Sequence, residues 1–75
     1  MNIDMSRLSE KFAQEYEFLY QNGDNVAGYA EAVAAFGQFA TRHGGFVGEF
    51  AQYRGDCITS DREAAAFMFA LESLS

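Results

Sequence analysis

The chain has 75 residues, 11 acidic against 5 basic, and a formal charge of -6. A chain of this length forms one domain, residues 1–75, and removes only about 60 to 65 % of its unfolded surface on folding, so its core is marginal. One cysteine, Cys57, and one histidine exclude a disulfide and a four-ligand zinc site, which leaves oligomerisation or an obligate partner as added support.

The charge disfavours direct contact with nucleic acid or anionic lipid and suits a basic protein partner. The opening "MNIDMSRLSEKF" has neither a cationic n-region nor an apolar h-region, and no stretch approaches the ~20 apolar residues of a membrane span. A soluble, cytoplasmic protein is expected, and a free cysteine agrees with that compartment.

Met5, Leu8, Phe12, Tyr16 and Leu19 recur at steps of three and four, which predicts a helix from about Ser6 to Asn22, ended by Asn22-Gly23. Glu10, Gln14, Glu17 and Gln21 occupy its opposite face, and Phe18 lies off the apolar stripe. A second helix is predicted from an Asp24 or Asn25 cap to about His43, where Gly44-Gly45 stops it. Its seam is Val26, Tyr29, Val33, Phe36 and Ala40, and small neighbours at Gly28, Ala32 and Ala35 suit it to be the central helix.

Phe46, Phe50 and Tyr53 fit a short third helix closed by Arg54-Gly55-Asp56, with "CITS" as a linker. Ser60-Asp61-Arg62-Glu63 carries the S-x-x-E capping box that starts a last helix. Proline and period-two alternation are both missing, so the expected fold is all-α, a small bundle of about four helices. In the last helix Ala64, Phe67, Leu71 and Leu74 form one stripe, while Phe69 points about 160° from Phe67. A helix apolar on both sides in so small a chain predicts self-association, or a partner groove, over Met68 and Phe69, with cover by residues 44–59 as the alternative.

Nothing in the spacing points to catalysis, a metal or a cofactor. His43 before "GGF" has no nucleophile elbow to serve. Cys57 follows Asp56 and stands fourteen residues from the lone histidine, and "GDCITSD" has neither EF-hand nor P-loop order. Pairs such as Glu15 with Glu17 and Asp61 with Glu63 are two apart and do not face one another on a helix. The carboxylates read instead as a surface. Glu49, Asp56, Asp61 and Glu63 bracket the last turn, and Glu10 and Glu17 lie on the first helix. The latter two are about 10 Å apart, against one charge per ~1.7 Å of duplex DNA, so a monomer imitates DNA sparsely.

At "YRGDCITSDREAAAF" the chain resembles the ArdA antirestriction family, whose acidic segments run aromatic, x, Gly, a short acidic stretch, Ser, two or three acids, then Phe-Ala. Tyr53, Gly55, Asp56, Ser60, Asp61, Glu63 and Ala65 fall into that order, with Phe50 upstream. The resemblance covers about a third of the chain, needs a one-residue insertion and sets apolar "CIT" where the family, twice as long, is acidic. It implies a phage or plasmid protein that mimics DNA and occupies the DNA site of a host defence complex, and anti-CRISPR proteins share this size and acidity. The expectation is a non-catalytic inhibitor that meets a host protein's basic surface through Glu10, Glu17, Glu49, Tyr53, Asp56, Asp61 and Glu63. The alternative is a structural or adaptor homodimer working through its apolar last helix.

Overall fold

A computed structural model describes residues 3–55 and 58–75, so Asp56 and Cys57, with the readings made of them, lie outside the described residues. The chain forms helix α1 (Met5–Asn22), a 3-10 turn (Gly23–Asn25), helix α2 (Tyr29–Arg54) and helix α3 (Asp61–Ser73), with no strand among the described residues. The all-α expectation holds, but the described residues form three α-helices rather than four.

α1 starts one residue before the predicted position because Asp4 caps it, its carboxylate accepting from the backbone N–H of Ser6 at 2.9 Å and of Arg7 at 3.4 Å. It stops where expected. Gly23 adopts φ 58 and donates its N–H to the Leu19 carbonyl, while the Asn22 side chain donates to the Phe18 carbonyl at 2.8 Å.

The second and third expected helices are one. Gly44 and Gly45 do not end α2; they follow a break at His43, whose φ of -129 and ψ of 36 leave the helical region. The Thr41 hydroxyl donates to the Gly37 carbonyl at 3.0 Å just before the break, a bond that favours bending. The bend has a packing reason. Phe36 and Phe50 would stand about 21 Å apart along a straight helix, yet their ring centroids lie 5.7 and 5.3 Å from that of Phe67. Phe39 and Phe46 complete the cage at 5.6 and 6.2 Å. The two legs of α2 thus fold around one ring, and this burial outweighs the roughly 1 kcal/mol that a helical glycine loses to alanine.

The start of α2 also differs from expectation. Asp24 and Asn25 belong to the 3-10 turn, and Gly28 precedes the helix at φ 83, a left-handed conformation that glycine adopts readily. Gly28 therefore serves the turn and does not line a helix-helix contact as a mid-helix residue.

α3, and not α2, is the central helix. It packs against both α1 and α2, whereas α1 and α2 meet only slightly. Ala64, Ala65, Ala66, Phe67, Ala70 and Leu71 are buried against the neighbouring helices, while Met68 and Phe69, the residues of the expected contact surface, remain half-buried. Alanine makes this work: side chains of one carbon let α1 approach closely on one side while Phe67 fills the α2 side. Ser60 caps the helix as predicted, its hydroxyl accepting from the Glu63 N–H at 3.1 Å and facing the Glu63 carboxylate at 2.8 Å.

Candidate functional site

Three of the recesses on this bundle join acidic and apolar side chains from more than one element. The first is built where the 3-10 turn, the start of α2 and the start of α3 converge. Asp24, Glu31 and Asp61, one from each element, line a cavity of about 490 Å³ whose apolar wall is Val26, Tyr29 and Val33. Asp24 lies in the 3-10 turn rather than in α2, and all three acids are exposed.

The second recess adjoins the first, since Gly28 and Glu31 line both. It is a groove of about 650 Å³ between the N-terminal leg of α2 and α3, floored by Ala27, Gly28, Ala32 and Ala35 and walled by Phe39, Met68 and Phe69. Glu31 stands on the α2 side and Glu72 on the α3 side, both exposed. Met68 and Phe69 are half-buried here. A Cβ placed on Gly28 would lie 3.9 Å from the Phe69 ring, so the turn that leads into α2 packs close to Phe69.

The third recess, of about 310 Å³, lies between α1 and the C-terminal leg of α2, with Phe12, Ala13, Tyr16, Arg54 and Glu63 around it. The Arg54 guanidinium sits 4.4 Å from the centroid of Phe12, and Phe12 in turn tilts against Phe50 at 5.5 Å. The guanidinium of the half-buried Arg54 packs over the apolar edge of the core.

The residues named from sequence are dispersed over these regions. Glu10 and Glu17 are exposed on α1, the latter accepting from the Gln21 amide at 3.0 Å. Glu49 is exposed on the C-terminal leg of α2, and one turn on, Tyr53 is 55 % exposed with its hydroxyl 3.0 Å from that of Ser6. Asp61 joins Asp24 and Glu31 in the first recess, whereas Glu63 is half-buried, occupied with Ser60, and lines the third. Asp56 lies outside the described residues.

Asp24, read from the sequence as a helix cap, and Glu31 and Glu72 were not among the residues expected to meet a partner. Asp24 and Glu31 are seven apart around Gly28, a spacing that hints at one face, but nothing local announces that Asp61 joins them. His43 is exposed with its ring 4.7 Å from that of Phe39, at the bend rather than at a helix end. Among the described residues no group of three or more His, Cys, Asp or Glu side chains is arranged to hold a metal ion, and no helix is long and apolar enough to cross a membrane.

No protein-family model matches the chain, and neither the curated proteins nor the solved structures yield a match.

Proposed function

We propose that the protein is a non-catalytic inhibitor of the phage or plasmid anti-defence kind, of anti-CRISPR or antirestriction type, which binds the basic DNA-contacting surface of a host nuclease or surveillance complex. The observation that carries this reading is the gathering of Asp24, Glu31 and Asp61 from three elements into one recess on a chain of net charge -6. Three carboxylates around one recess present the same sign to lysine and arginine as a phosphate backbone does. Glu10, Glu17 and Glu49 extend the acidic field over the remaining surface. The contact is with protein, so neither direct nucleic-acid binding nor a cofactor is part of it.

The second reading, an adaptor homodimer joined through α3, is favoured by the open groove at Met68 and Phe69. Capture from a bacterial lysate at low and at high salt, followed by mass spectrometry, separates the two. Recovery of a nuclease or DNA-surveillance subunit that is lost as salt rises supports the inhibitor. Recovery of only the protein itself, at either salt concentration, favours the homodimer.

A further inference from the structure

We infer that the groove between α2 and α3 is the docking site for an amphipathic helix of a basic partner, one whose apolar face is flanked by lysine or arginine. The inference rests on the reading of this chain as a partner-binding protein and says which surface makes the specific contact. Shape and charge argue for it together. The floor is low because Ala27, Gly28 and Ala35 project little, and the wall of Phe39, Met68 and Phe69 offers an adaptable apolar surface of the kind that receives helix anchors. Glu31 and Glu72 then stand on opposite sides, where cations flanking an apolar stripe would fall.

Glu31 also lines the recess that holds Asp24 and Asp61, so the acidic rim continues past the end of the groove. A second copy of this chain fits less well. A twofold axis through the groove would set two acidic rims, each part of a chain of charge -6, against one another, with no Lys or Arg among the described residues that line the groove.

The test uses the whole chain, labelled with 15N, and a synthetic peptide of leucine and lysine with leucine at helical i, i+3, i+4 and i+7 spacing; a leucine-glutamate peptide of the same pattern is the control. The lysine peptide should bind saturably, shift the amide signals of Ala27, Gly28, Ala35 and Phe69, and weaken as salt rises, while the glutamate peptide should not bind. Ala27→Trp, at an exposed position ahead of α2, fills the groove and should abolish the shifts. Glu31→Lys with Glu72→Lys should weaken binding about tenfold. Melting curves establish that both variants are folded.

Shifts confined to α1 around Glu10 and Glu17, or undiminished binding by folded Ala27→Trp, would overturn the inference. So would sedimentation showing a wild-type dimer that Ala27→Trp splits, because the groove would then belong to a second copy. The peptide titration contains no host protein. Its failure therefore leaves the lysate result standing, and a lysate capture without any nuclease or surveillance subunit leaves the groove result standing.

Discussion

Phe67 meets Phe50 edge-on, ring centroids 5.3 Å apart and planes at 61°, and both rings are fully buried. The contact ties the far leg of α2 to the middle of α3. Phe67→Ala should remove about 3 to 5 kcal/mol from a domain whose total stability is of order 5 to 15 kcal/mol, leaving it close to its unfolding threshold. Phe69→Glu, at a half-buried position two residues on, should leave a cooperative urea transition, whereas Phe67→Glu should abolish it. Circular dichroism against urea for the three variants decides this, and equal damage from the two glutamates would contradict the arrangement.

Two glycines should respond to alanine with opposite sign. Gly28 holds φ 83, and although a Cβ there would meet the Phe69 ring only at ordinary contact distance, the left-handed backbone is strained for alanine by about 1 to 2 kcal/mol. Gly37 is helical with open space around its Cβ position, so Gly37→Ala should stabilise by about 0.5 to 1 kcal/mol. Thermal melts should show Gly28→Ala falling and Gly37→Ala rising by a few degrees.

Ser60 carries the entry to α3 through two contacts with Glu63, from its backbone N–H and to its carboxylate. Ser60→Ala should lose about 1 kcal/mol. Ser60→Asp keeps the acceptor but sets a second negative charge beside Glu63, so its melting temperature should fall between those of alanine and wild type.

Glu10→Gln, Glu17→Gln, Glu49→Gln and Asp61→Asn together should leave helix content unchanged, because all four side chains are exposed. Capture of a basic partner should weaken, and its dependence on salt should flatten. Binding to the same partner by the folded quadruple variant, with wild-type affinity at low ionic strength, would remove the acidic surface from the mechanism. Glu63 is kept out of this set because its loss would also disturb the Ser60 cap.

What the sequence made legible was local. The Leu8, Phe12, Leu19 stripe and the Asn22-Gly23 stop delimit α1, and the Ser60 to Glu63 spacing marks the start of α3, because each is a short-range pattern with its own physical cause. Gly44-Gly45 marked the right place but not the outcome: the chain bends at His43 instead of stopping, and rings on both sides of the bend close on Phe67. The all-round apolar character of α3 was visible, but its cause, cover by α1 on one side and α2 on the other, is a property of the assembled bundle. Asp24, Glu31 and Asp61 meet only through that assembly, and Glu63, identical in type to the exposed acids, differs from them by its bond to Ser60.

The placement of α3 between two helices that each meet it more than they meet one another sets an order of events during synthesis. α1 and α2 emerge from the ribosome first, yet most of the packing of α1 is with α3, which lies beyond the whole of α2. Closing so long a loop is slower than pairing neighbours in sequence. The nascent chain should therefore stay open to proteases until Asp61–Ser73 has cleared the exit tunnel, and then fold in a single step.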